Sequence, residues 1–394
     1  MAKKFWKNAY AILLALLCAA GFVFAAYFAY SERSGGSAAG LWACIAGGAL
    51  SLVLVPFFHE SGHIVFAKAN GLNVVYWKIF VLEGDFTGKK GRISFCSPFA
   101  AEQVQAAPKR AYIDMKKRAG AYTLGGLVFG GAFLLLALIP AVALRLTGWT
   151  AAYAFFGALP YAAYLFFLNL PPFGYAGGKT DMLVFYELKT DKPCGVRLIA
   201  AMNAQGELAE GKPYSGIDRA YLENLPAIAE DEPLFAMNEF YLYFAAAEAR
   251  NYETAAKHIN RIAALSPYLS EQEQRAALCE LTYLNAVLND ETQTEKCFSA
   301  LCGDAFGGSG GGKAFAAKAG DLKADAAEEG CNAFQTSAEN RAAAAYYVLR
   351  GDFARSSRYA EAAAAAAENE KFPGAAESER LLLSPVRERL AAGA

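Results

Sequence analysis

The sequence predicts a mainly α-helical chain in two halves. The first is a multi-pass bundle of transmembrane helices with a small β-strand insertion, and the second is a soluble all-α helical-repeat domain. Three observations carry this. Of 394 residues, 55% are hydrophobic and only 19% charged, a greasy balance for a globular protein. The apolar excess lies almost wholly before about residue 190, and the charged residues gather after it. Within the apolar half, residues 9–30, 41–68, 120–146 and 149–170 each approach or exceed the about 20 residues that a bilayer crossing takes.

The first stretch follows Lys3, Lys4 and Lys7, the layout of a secretory signal. Its apolar core is too long for one and no clear small-x-small site follows, so it reads as a retained anchor over residues 1–38. The same lysines place the N-terminus inside. The loop over 31–40 holds only Glu32 and Arg33, whereas the next is strongly basic, from Lys78 through Lys89, Lys90, Arg92, Lys109 and Arg110 to Lys116, Lys117 and Arg118. Only Arg145 precedes the fourth stretch. Basic loops stay on the cytoplasmic side, so four crossings return the C-terminal half to it and both termini are expected to be cytoplasmic.

The third stretch is glycine-rich. Gly126 and Gly130 form a small-xxx-small pair that admits a second backbone, read as helix packing within the chain. The formal net charge of −1 argues against a nucleic-acid partner. The eight cysteines have no framework or metal-like spacing, which fits a reduced compartment.

The chemistry sits at the end of the second stretch, which closes His59-Glu60-Ser61-Gly62-His63. On a helix, positions i and i+4 share a face, so both imidazoles can reach one ion with Glu60 beside them. A zinc ion lowers the pKa of its water to about 7, and a neighbouring carboxylate can take the proton. Each ionisable group at the centre of a membrane helix costs about 2.5–3.5 kcal/mol on insertion scales, so three together are not decoration. Pro56, one turn earlier, cannot donate to Leu52, so it either loosens the helix ahead of the motif or is an ordinary membrane-helix proline.

The chain has only three histidines, and His258 lies far away in the polar half, where it reads as structural. A third ligand must then be a carboxylate or thiolate: Glu83, Asp85, Asp114, Asp181, Cys96 or Cys194. Asp181 stands out, because it follows the fourth stretch on the same side as the histidines. It also follows an irregular run, residues 169–180, and non-helical backbone at membrane depth is tolerated where it lines a cavity.

HESGH in a transmembrane helix, then Asn169-Leu170-Pro171-Pro172, then Asp181, resembles the site-2 protease family of intramembrane zinc metalloproteases. The resemblance covers most of residues 40–190 and departs from the compact family pattern in a longer interval before Asp181 and in Met182 where the family has glycine. It implies that Asp181 is the third zinc ligand with His59 and His63, Glu60 the base, and Asn169 a substrate-positioning residue. It also implies a metalloprotease core over residues 39–190 in a bacterial plasma membrane, cutting membrane-anchored proteins or peptide remnants. Residues 72–95, rich in strand formers such as Val74, Val75, Trp77 and Ile79, read as strands, either offering an edge with which an extended substrate would pair or forming a solvent-facing hairpin with no substrate role.

From residue 191 to 394 the chain is helical, alanine-rich and charged, and is expected to be cytosolic. Helix pairs are expected over 240–265, 271–302 and 340–366, with a flexible glycine run at 307–312. The segment RNYETAAKHINRIAALSP is similar to the second half of a tetratricopeptide repeat, and the closing PGAAESERLLL resembles the C-terminal end of bacterial relatives with this arrangement. Such pairs commonly bind a protein partner. The rival expectation is therefore a membrane scaffold with a decayed protease site, recruiting partners through its repeats.

Overall fold

A computed structural model describes residues 2–31, 38–86, 90–97, 102–175, 178–306 and 334–393. Glu32, Arg33, Lys89, the 307–312 glycine run and Cys331 lie outside the described residues, as do the side chains of Lys3, Lys4 and Lys7. The chain divides into two compact units, residues 1–87 with 91–199, and residues 200–394 with 88–90.

The first unit holds four helices long and apolar enough to cross a membrane: α1 (Ala2–Ser31), α2 (Ala38–Ala69), α3 (Met115–Leu146) and α4 (Ala152–Asn169). Their outer faces carry large bare apolar side chains, such as Leu16, Phe24 and Ile139, each more than 60% exposed. Such a surface calls for apolar surroundings. α2 packs against both α3 and α4, and α1 packs on α4 and α2 within the same unit. Close approach is set by glycine: a Cβ on Gly157 of α4 would run into the Cys44 carbonyl of α2. α2 continues through Pro56 without a break.

Between α2 and α3 lies an antiparallel sheet of β1 (Leu72–Ile79), β2 (Leu82–Asp85), β3 (Arg92–Phe95) and β4 (Gln103–Pro108), in the order β3-β2-β1-β4. The expected strand formers do form strands, but β1 is bonded on both sides, to β2 and to β4. The substrate edge expected around Val75 and Ile79 is therefore not an edge, since its backbone groups are already committed. The outer strands are β3 and β4. After α4, a two-residue hairpin, β5 (Gly174–Tyr175) with β6 (Gly178–Lys179), leads into α5 (Asp181–Lys189) and then α6 (Pro193–Ala209), inside which the unit boundary falls.

The second unit is all helical: α7 (Pro233–Glu248), α8 (Tyr252–Ala264), α9 (Glu271–Val287), α10 (Glu291–Phe306), α11 (Ser337–Leu349), α12 (Phe353–Ala367) and α13 (Pro373–Gly393). Its repetition is visible in three turns. Arg250, Asn289 and Gly351 each have a φ near +60 to +74° and are each followed by Asn251, Asp290 or Asp352, whose side chain accepts from a backbone N–H of the next helix. In each, the last two amides bond back to the helix just ended, the Schellman arrangement that stops one helix and starts its antiparallel partner. His258 is half-buried on α8. Its Nδ1 lies 2.8 Å from Glu239, which also faces Arg261.

The core of this unit holds a buried charge. Arg341, with no exposed surface, bonds Glu280 at 2.7 Å and Glu379 at 2.9 Å, and Tyr243 donates to Glu280 at 2.8 Å, so α7, α9, α11 and α13 are tied together. Burial works against the guanidinium charge, but the two carboxylates prevail and hold it protonated. Removing one partner of a buried pair strands the others. Arg341→Leu is expected to destabilise this unit by about 3–5 kcal/mol, read as a lowered denaturant midpoint of the far-ultraviolet circular dichroism. An unchanged midpoint would show that the network adds nothing.

Candidate metal centre

His59, Glu60 and His63 all fall on the buried side of α2, each 5–7% exposed. The helical spacing stacks the imidazoles edge to face, with ring centroids 5.1 Å apart. His63 is held by its other nitrogen, Nδ1, 3.0 Å from the backbone carbonyl of Tyr122 on α3. Such an outer contact fixes which nitrogen faces a metal. Tyr122 is itself fixed, since its hydroxyl donates to the Val104 carbonyl of β4.

α3 can come this close because it presents glycine. A Cβ on Gly62 would strike the Gly125 carbonyl, and a Cβ on Gly126 would lie 2.7 Å from His59 Nε2 and closer still to His63 Nε2. Both Nε2 atoms thus face a bare backbone wall. The small-residue stripe serves packing within the chain, as expected from its sequence, although Gly125 and Gly126 make the closest approach and Gly130 stands 3.5 Å (Cβ) from His59 Nδ1.

The third group arrives from α5. Asp181 is the first residue of that helix, and Thr180 caps it by accepting from the Leu183 amide at 3.2 Å. The Thr180 hydroxyl also lies 2.9 Å from the Pro171 carbonyl, and its amide bonds the Phe173 carbonyl, so the irregular run is folded back on itself. Asp181 Oδ2 lies 3.3 Å from His59 Nε2 and 3.5 Å from His63 Nε2, and accepts no hydrogen bond. Burial pushes the Asp181 carboxyl up, but the imidazoles beside it prevail and hold it at about 2.

These distances test the donor set. A tetrahedral zinc with bonds of about 2.0–2.1 Å separates its ligand atoms by about 3.3–3.4 Å, close to the 3.3 and 3.5 Å between Asp181 Oδ2 and the two Nε2 atoms. Two imidazoles and a carboxylate are also the donor types that zinc accepts, and the buried Asp181 Oδ2, which accepts no hydrogen bond, is placed to take a cation. The three residues fit the ion.

Among the described residues, this is the one such cluster. The other third-ligand candidates stand elsewhere: Glu83 takes hydrogen bonds from Tyr76 and Ser94, Asp114 pairs with Arg118, and Cys96 reaches the Phe80 carbonyl. No family model, curated protein or solved structure matches this chain.

Asn169, expected beside a substrate, is buried at the end of α4. Its Oδ1 accepts from the Asp181 amide at 3.4 Å, and its Nδ2 donates to the Leu165 carbonyl at 3.3 Å. It steadies Asp181. Two contributors left no signal in the sequence. Tyr122 acts through a main-chain oxygen, which no side chain advertises. Half-buried Glu102, just before β4, is a further carboxyl within electrostatic range of His59 and Lys78, and burial pushes it up more than they pull it down.

Proposed function

We propose that this chain is a zinc-dependent endopeptidase embedded in a membrane through α1 to α4, cutting membrane-anchored proteins or peptide remnants near the cytoplasmic face. The observation that carries the reading is the convergence of Asp181 on His59 and His63 at the spacing a tetrahedral ion sets. The resemblance of HESGH, Asn169 and Asp181 to site-2 proteases supports the same assignment. Basic residues before α1 and between α2 and α3 support a topology with both termini cytoplasmic.

His59 and His63 would hold zinc through Nε2 and Asp181 through its carboxylate. The ion supplies a Lewis acid that polarises a carbonyl and acidifies water. Glu60, one residue from His59 and within electrostatic range of all three ligands, takes the proton of the attacking water and passes it to the leaving amine nitrogen. Tyr122 keeps His63 turned to the site, and Asn169 keeps Asp181 there. The outer edge of β4 is the backbone position along which an extended substrate would lie. α7 to α13 supply a surface on which a protein partner would dock.

Purified chain is expected to carry about one zinc, the stoichiometry of a single catalytic site, by elemental analysis. Asp181→Ala is expected to leave it well below that. Protein that binds no zinc when supplied with it would sink the reading and favour a scaffold whose site has decayed.

A further inference from the structure

A cleft of the first unit lies apart from the proposed metal ligands. It is open to its surroundings and holds about 430 Å³, within the range of roughly 300–1,000 Å³ typical of small-molecule sites. Gly120 and Ala121 of α3 and Phe185 and Leu188 of α5 give it apolar walls. Exposed Lys116, Lys117 and Lys189 complete the lining with Asp114.

Charges around it are unequally spent. Lys116 is committed to Asp191 at 2.7 Å and Asp114 to Arg118 at 2.7 Å. Lys117 and Lys189 have no ion-pair partner among the described residues. Their positions along the helix matter as much. α3 begins with the run Lys116-Lys117-Arg118 and then carries no charge until Arg145. The cavity straddles that change, with cations at one level and apolar walls one turn further in. In a membrane helix, such a change marks the level of the lipid headgroups.

Resting on the membrane placement above, we propose that this cavity is a binding site for an anionic phospholipid. The lipid phosphate meets Lys117 and Lys189, and one acyl chain lies along Gly120, Ala121, Phe185 and Leu188. Basic pockets between membrane helices on the cytoplasmic side attract anionic headgroups. A soluble phosphate would use the lysines and leave the apolar walls bare, whereas a phospholipid satisfies both. The cavity lies between α3, which steadies His63, and α5, which begins with Asp181, so the lipid would join two elements of the metal centre.

The test is native mass spectrometry of the full-length protein in detergent, offered phosphatidylglycerol and phosphatidylcholine. One phosphatidylglycerol is expected to be retained in preference to phosphatidylcholine. The Lys117→Ala, Lys189→Ala double variant is expected to lower retention by about 30-fold, about fivefold for each lysine. Gly120→Leu keeps every charge but sends its side chain toward Phe185, which lies 3.5 Å from where a Cβ would stand, and is expected to lower retention too. Glycerol phosphate, a headgroup without chains, is expected not to displace the lipid. Equal retention of the two lipids, retention indifferent to the lysines or to Gly120→Leu, or displacement by glycerol phosphate would overturn the site. Failure of the membrane placement looks different: the chain would be recovered without detergent from the soluble fraction, and the site would fall with it.

Discussion

Glu60→Gln is expected to lower cleavage of a membrane-anchored substrate by about 10²–10⁴-fold, the range that a positioned general base contributes, while zinc stays at about one per chain. The reasoning is local. Glu60 shares the buried side of α2 with His59 and His63 but is not one of the three groups that converge. Glutamine has the same shape and can still hydrogen-bond, so the helix and its packing against α3 should survive. It cannot accept a proton at neutral pH, and that one capacity is what the proposed step requires. The paired readout separates base from ligand, because a ligand change loses metal and activity together whereas a base change loses only activity. If Glu60→Gln cleaved at the unaltered rate, Glu60 would not be the base and Glu102, the half-buried carboxyl before β4, would be the next residue to replace.

What the sequence disclosed about this fold follows from how each signal is written. The four long helices were readable to within a few residues, apart from an earlier start to α3 at Met115, because an apolar run of that length is hard to hide. The His-Glu-His spacing was readable because i and i+4 fall on one helix face whatever surrounds them. Asp181 was readable only as the best of six candidates, since the path that brings it back depends on Thr180, Asn169 and the β5–β6 hairpin. Asn169 is marked in one dimension only by its Asn-x-x-Pro pattern, and neither Thr180 nor the hairpin looks special there. β4 was invisible: Gln103–Pro108 has one β-branched residue, Val104, and becomes a strand by pairing with β1. Arg341 was hidden in the opposite way. A charged residue in an alanine-rich helix suggests a solvated face, and only the approach of Glu280 and Glu379 from other helices makes it the most deeply buried charge of its unit.

Gly126 is a residue whose role the sequence understated, and its replacement by alanine should strike both imidazoles of the site directly. The added Cβ would stand 2.7 Å from His59 Nε2 and nearer to His63 Nε2, well inside van der Waals contact. α3 is held at this distance, because the close Gly62–Gly125 contact lies beside the site and Tyr122 is anchored to β4. The imidazoles must turn instead, and turning them breaks the spacing to Asp181. Zinc affinity is expected to fall by about 100-fold or more, at or beyond the upper end of what outer-shell changes cost. Stability should fall by about 1–3 kcal/mol, the usual cost of overpacking. Gly130→Ala is the control: its Cβ would sit 3.5 Å from His59 Nδ1, an ordinary contact, on the side of the ring away from the ion. Isothermal titration of metal-stripped protein with zinc reads both variants. Tight binding by Gly126→Ala would mean that the imidazole nitrogens do not meet the ion against this wall of α3, and the whole centre would have to be rebuilt.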